Sequence, residues 1–153
     1  NMSLGGEAAQ ALDDSVRNSI AAGITYALAA GNDNADACNG SPARTLEAIT
    51  VGSSTRTDRR SMFSSWGTCV DIFAPGSSIT SASNANDTGS QSMSGTSMAA
   101  PHVAGAAALY LSAHPEATPA EVAEALTTNA TKGKIGSPGT GSPNALLYTG
   151  FIQ

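Results

Sequence analysis

A chain of 153 residues, 41% of them hydrophobic, is long enough to bury a core and is most simply one domain. Twelve Asp and Glu against seven Lys and Arg leave a formal charge of -5, which excludes a basic face for nucleic acid, and no run approaches the roughly 20 apolar residues of a membrane span. Charged residues make up 12%, about half the usual globular share, and with abundant Ala, Ser, Thr and Gly this suits an extracellular hydrolase.

The first periodic stretch is Glu7 to Ala22, where Ala8, Leu12, Val16 and Ile20 recur every fourth residue and Asp13, Asp14 and Arg17 fall on the other side. This spacing predicts an amphipathic helix, which Gly23 would stop. Ile24 to Ala30 then runs apolar without alternation, as a strand covered on both faces does. Helix followed by buried strand predicts an α/β domain with a parallel sheet. Ligands and catalytic groups in such sheets collect beyond the C-terminal ends of strands, here Ala29-Ala30-Gly31-Asn32-Asp33-Asn34, although Gly-Asn taken alone is also a common turn.

Residues 35 to 46 read as a polar loop and Ala48 to Val51 as the next buried strand. Thr55 to Ser65, with Arg56, Asp58, Arg59 and Arg60, reads as a solvated connection whose charges lie at the surface. Val70 to Phe73 is a short strand ended by Pro75-Gly76; Asp71 within it is either the wet side of an edge strand or a ligand. Ile79 to Ser83 and Ser92 to Ser94 are short strands around the polar loop Asn84 to Ser90. Cys38 and Cys69 lack partners at metal-ligand spacing; they form a disulfide or remain two buried thiols.

Thr96 to Ala113 is predicted to be helical, with Pro101 near its first turn, where a missing N–H costs least. Ala99, Ala104, Gly105, Ala106, Ala107 and Ala108 make it apolar all round, the signature of a helix buried in the middle of a protein. Ser97 sits at its mouth, where free N–H groups and the helix dipole favour developing negative charge. Either it caps the helix or it is a nucleophile. Thr118-Pro119-Ala120-Glu121 is a capping box that starts a last helix with Val122, Ala125 and Leu126 inward, and Asn144 to Tyr148 would add a final helical turn.

The run Gly95-Thr96-Ser97-Met98-Ala99-Ala100-Pro101-His102-Val103-Ala104-Gly105 resembles the nucleophile segment of the subtilisin-like serine proteases. The resemblance implies a subtilisin-like fold, α/β and doubly wound, with a mostly parallel sheet and flanking helices. It assigns Ser97 as nucleophile. Ala29-Ala30-Gly31-Asn32 is similar to the family's oxyanion segment and assigns Asn32 as a side-chain N–H donor. Ser3-Leu4-Gly5-Gly6 looks like the substrate-binding strand, and Ala29, Ala30 and Gly31 would leave room for a large apolar side chain at P1, the residue before the scissile bond. Asn32 to Ala37, Ser41 to Ala43, Asp58 to Ser61, Phe63-Ser64 and Asp71 to Phe73 resemble the proteinase K and aqualysin branch. There a calcium ion is held by two carbonyls and a carboxylate, which would fall here at Leu46, Ala48 and Asp71. That branch also implies a Cys38–Cys69 disulfide and a secreted protein.

The same resemblance shows what is missing. A serine protease needs a base for the Ser proton and a group to orient it. His102 lies five residues after Ser97, roughly 140° round the helix at about 100° per residue, and is expected to be a packed, hydrogen-bonded core histidine. His114, before Pro115, is expected to cap the helix end at the surface. The family's Asp-[Ser/Thr]-Gly and His-Gly-Thr-His segments are absent, so residues 1–153 are expected to be the C-terminal portion of a subtilisin-like catalytic domain, from a nicked, split or truncated protease. Its partners would be a polypeptide substrate and the complementary N-terminal segment, without nucleic acid or membrane, and alone it would be inactive. A lipase or esterase elbow would need Gly at position 99, which is Ala, and an acid between Ser97 and His114. A non-catalytic subtilase-like module or pseudoenzyme is the alternative reading.

Overall fold

A computed structural model describes residues 1–152. Its centre is a five-stranded sheet in the order β2-β4-β5-β9-β8, built from β2 (Ala27–Ala29), β4 (Ile49–Ser54), β5 (Ile72–Pro75), β8 (Thr131–Lys132) and β9 (Ala145–Leu146). All neighbours run parallel except β8, which is antiparallel to β9. The register sets Ala27 beside Ile49, Val51 beside Ile72 and Phe73 beside Leu146. Two small antiparallel pairs stand apart, β1 (Gly6–Glu7) with β3 (Gly40–Ser41) and β6 (Ile79–Ala82) with β7 (Ser90–Met93).

Side-chain alternation along the strands gives the sheet two apolar faces. On one, Ala27, Ala29, Ile49, Val51, Ile72 and Ala74 meet helices α2 (Thr96–Ala113) and α3 (Pro119–Thr128). On the other, Leu28 meets Val16 of helix α1 (Gln10–Ala21), and Phe73 packs with Ala30, Ala37, Cys69 and Ile135. Gly52 is required beside Phe73, because a Cβ there would come within 2.5 Å of the ring. Helices on both faces of a mostly parallel sheet are the doubly wound α/β architecture that the sequence predicts.

Several local expectations need correction. α1 begins at Gln10, three residues late, because Glu7 is held in β1 and Ala9 N–H donates to Ser41 Oγ; its end, with Gly23 at φ +97°, is as expected. Strand β2 is shorter than the apolar run Ile24 to Ala30, since Gly23 and Ile24 still bond back to α1. Asp13, assigned to the polar side of α1, is fully buried and accepts from Arg44 Nε at 2.5 Å and Thr45 Oγ1 at 3.4 Å. Burial pushes its carboxyl up, but hydrogen bonds from Ser41 and Arg44 and the Arg44 and Arg17 charges outweigh this and hold it below the usual range.

Arg60 is more than a surface charge: it donates to Asn34 Oδ1 at 2.9 Å and to the carbonyls of Ser64 and Ser137, tying the connection 55–65 to its neighbours. Asn144 to Tyr148 adds a strand, β9, because its amides find partners on β5 and β8. Cys38 and Cys69 are joined in a disulfide. The capping box of α3 forms as expected, with Thr118 Oγ1 accepting from Glu121 N–H and Glu121 Oε2 accepting from Thr118 N–H.

α2 departs from expectation on one side. Ala99, Ala100, Val103, Ala106 and Ala107 are buried against the sheet, whereas Pro101, His102, Gly105, Ala108 and Leu109 are exposed, Leu109 by 55%. An apolar helix needs cover on every face, and the described residues cover only one.

Candidate active site

The site forms where three distant segments meet. Met2 N–H donates to Ala27 O and Ala29 N–H to Met2 O, at 2.9 and 3.1 Å, which lays the N-terminal segment along β2. β2 delivers Ala29 to Asn32 at its C-terminal end, and α2 delivers Thr96 and Ser97 at its N-terminal end. Ser3 Oγ donates to Ser97 O at 2.7 Å, and Ser97 Oγ donates to Ser3 O at 3.3 Å.

Asn32 is held by one oxygen. Thr96 N–H and Thr96 Oγ1 both donate to Asn32 Oδ1, at 2.8 and 3.0 Å, and Thr96 Oγ1 accepts from Gly31 N–H at 3.2 Å. This fixes the amide with Nδ2 turned away from Thr96, and Nδ2 makes no hydrogen bond to the described residues. A Cβ at Gly95 would lie 3.8 Å from Asn32 Nδ2 and 3.6 Å from Ser97 N, so Gly95 leaves open the space that both donors border. Gly31, at φ +105°, takes a conformation that favours glycine, and a Cβ there would sit 3.0 Å from Ser65 Oγ. Two amide donors and a hydroxyl beside one space are the parts that acyl transfer at a carbonyl uses.

A cleft of about 460 Å³ opens beside Ser97. Leu4, Gly5, Gly6, Ala29, Ala30 and Gly31 all line it; Ser3, the other residue predicted to bind substrate, is outside the lining and bonds to Ser97 instead. Sequence reasoning missed Thr96 as the clamp on Asn32, although it stands inside the motif, and missed Glu7, Asp33 and Asp36 on the cleft wall. The outer wall, residues 35 to 41, is fastened by the disulfide, by Ala37 N–H to Trp66 O and by Trp66 N–H to Ala35 O.

His102 is not a core histidine. It lies exposed on the open face of α2, its Nδ1 donating to Met98 O at 2.8 Å, because nothing among the described residues packs on that face. His114 is at the C-cap of α2 as predicted, stacked on Tyr110 with ring centroids 4.3 Å apart. Neither histidine lines the cleft.

Leu46, Ala48 and Asp71 lie away from the cleft. Burial raises the Asp71 carboxyl to about 6, opposed only by the hydrogen bond from Thr50 N–H, 2.7 Å from Oδ2. The carbonyls of Leu46 and Ala48 accept no hydrogen bond from the described residues. Carbonyl and carboxylate oxygens are the donor type that suits Ca²⁺. Among the described residues no group of three or more His, Cys, Asp or Glu side chains could hold a metal, and no helix is long and apolar enough to cross a membrane.

The model of the subtilase family matches residues 1–146. The chain belongs to the subtilase family. This subtilase is 58% identical over 151 residues to the extracellular serine proteinase of Thermus sp. (strain Rt41A), covering 99% of this chain and 37% of that protein. It is 53% identical over 149 residues to the alkaline serine exoprotease A of Vibrio alginolyticus, covering 97% of this chain and 27% of the relative. Its structure superposes on the crystal structure of a cold-adapted subtilisin-like serine proteinase with a TM-score of 0.94 at 52% identity, across 97% of this subtilase and 54% of that chain. The subtilase therefore spans about half the solved structure and about a third of the first relative.

Proposed function

We propose that this subtilase is the serine-bearing part of a secreted endopeptidase that cleaves peptide bonds through an acyl-enzyme. The observation that supports this best is the clamp of Thr96 on Asn32 across 64 residues, which sets an amide donor beside the N–H of Ser97. In the proposed reaction Ser97 Oγ bonds to the scissile carbonyl carbon while its proton passes to a histidine of a complementary segment. The developing O⁻ accepts from Asn32 Nδ2–H and Ser97 N–H. Collapse of the tetrahedral intermediate breaks the C–N bond, the histidine returns the proton to the leaving amine, and water later releases the acyl group. Ser3 to Gly6 would pair with the substrate backbone as an added strand, and the Ala29 to Gly31 wall would accept a large P1 side chain.

The complementary segment would cover the open face of α2 around His102 and Leu109 and bring the catalytic Asp and His. Leu46 O, Ala48 O and the Asp71 carboxylate would hold a structural Ca²⁺, whose charge stabilises the ionised carboxylate and the loop between β3 and β4. Secretion is supported by the disulfide and by the extracellular relative.

Ser97 Oγ turned onto Ser3 O, with no histidine among the described residues that line the cleft, favours a second reading, a non-catalytic module. A fluorophosphonate probe separates the two. In the complete domain it should label Ser97 and lose the label in Ser97→Ala, while residues 1–153 alone should stay unlabelled. A complete domain that fails to label would overturn the proteolytic reading.

A further inference from the structure

We propose that Glu7 makes the cleft beside Ser97 selective for a long cationic side chain, Lys or Arg, at P1; the inference rests on the proteolytic reading above. The cleft walls are mostly glycine, alanine and serine, so they give width and little chemistry of their own. Its charged lining is all of one sign: Glu7, Asp33 and Asp36, with no Lys, Arg or His. Asp36 is occupied, since its Oδ1 accepts from Cys38 N–H at 2.9 Å. The side chains of Glu7 and Asp33 make no hydrogen bond or ion pair with the described residues, which leaves two carboxylates on the cleft without a cation.

The two differ in how firmly they are placed. Asp33 is exposed beside Asn32. Glu7 stands on β1, and its backbone is fixed by antiparallel pairing with Gly40. Glycine suits that position, since a Cβ at Gly40 would approach Gly6 O to 3.1 Å, and so no side chain from Gly40 comes between Glu7 and the cleft. From Ser3, which bonds to Ser97, to Glu7 the chain spans at most about 13 Å if fully extended. An Arg or Lys entering beside Ser3 and a Glu7 side chain reaching back span that distance together.

Long basic side chains carry an apolar stem and a charged tip. The stem would run along Ala29 and Ala30, both nearly sealed from solvent, and the tip would meet the Glu7 carboxylate. This keeps the room for a large apolar P1 group and adds a reason to prefer one that ends in a cation. An acidic P1 side chain would meet like charge and be disfavoured.

The test uses the complete protease domain that contains this segment, with peptide anilides differing only at P1: Phe, Arg, Lys and Glu. Arg and Lys should exceed Phe in kcat/KM at low salt, and Glu should be the poorest. Glu7→Gln should lower the Arg-to-Phe ratio about fivefold, a shift in keeping with loss of one solvent-accessible ion pair, and Glu7→Lys should raise Glu above Arg. Fluorophosphonate labelling of Ser97 in each variant reports that the site is assembled. Labelled variants whose Arg-to-Phe ratio equals that of the parent would overturn the role of Glu7 alone. Absence of labelling and of hydrolysis of all four substrates in the parent domain would overturn the proteolytic reading and this inference with it.

Discussion

At the scale of single residues, the site depends on which end of one amide is free. Both donors from Thr96 reach Asn32 Oδ1, which leaves Nδ2 as the free end, and in the proposed reaction that donor would need no reorganisation when charge develops. Asn32→Ala in the complete domain should lower kcat by about 10²- to 10³-fold, as loss of one oxyanion donor does, with little change in KM; steady-state kinetics on a neutral peptide substrate would show it. Asp13 illustrates the opposite use of a polar group. Its carboxyl is held below the ordinary range in the folded chain, so the folded state releases the proton more readily than the unfolded one. The resulting stabilisation is present above the unfolded value of 3.8 and is lost as pH falls through the folded value. Denaturant melts of parent and Asp13→Asn between pH 3 and 7 should therefore differ most near neutrality and converge on acidification. At about 100° per residue Asp13 lies about 60° from Val16 and Asp14 about 160° from it, so the helical period separates the two. What it cannot foresee is that Arg44 and Thr45 return to α1 to meet the Asp13 carboxylate.

At the scale of elements, the cleft is only as well defined as its outer wall. Residues 35 to 41 carry no long helix or strand of their own, and the Cys38–Cys69 bond and the Trp66 contacts hold them. Replacing both cysteines by Ala should cost roughly 3–4 kcal/mol by loop entropy, measured by chemical denaturation. In the complete domain it should raise KM more than it lowers kcat, because the wall shapes the cleft while the Asn32–Thr96 clamp stays in place. The proposed calcium site joins the loop that carries Leu46 and Ala48 to Asp71, just before β5. Melting should shift upward with Ca²⁺ and downward with chelator, and Asp71→Asn should erase the difference; equal melts of the parent under both conditions would remove calcium from the account. Strand β9 shows the limit of local reading. Ala145-Leu146 is too short to carry a period, and it is a strand only because the edge of β5 is there to pair with it.

At the scale of the whole molecule, the sheet is covered on both faces but its central helix is not. The apolar surface of α2 around Leu109 should make residues 1–153 less stable alone than in the complete domain, and Leu109→Asp should weaken association with a separately added N-terminal segment, read by titration calorimetry, while leaving the far-ultraviolet circular dichroism of this chain intact. Much of this protein follows from its sequence. The α/β class comes from a helical period followed by unbroken apolar strands, the start of α3 from its capping box, and Ser97 and Asn32 as candidates from a family motif long enough to be specific. These are legible because each depends on residues close together in the chain. Tertiary structure alone decided that Thr96 grips Asn32, that Asp13 is buried, that Glu7 faces the cleft and that His102 lies open. Each of those depends on segments tens of residues apart meeting at one place, and a one-dimensional pattern of period and charge holds no record of which distant partners will arrive.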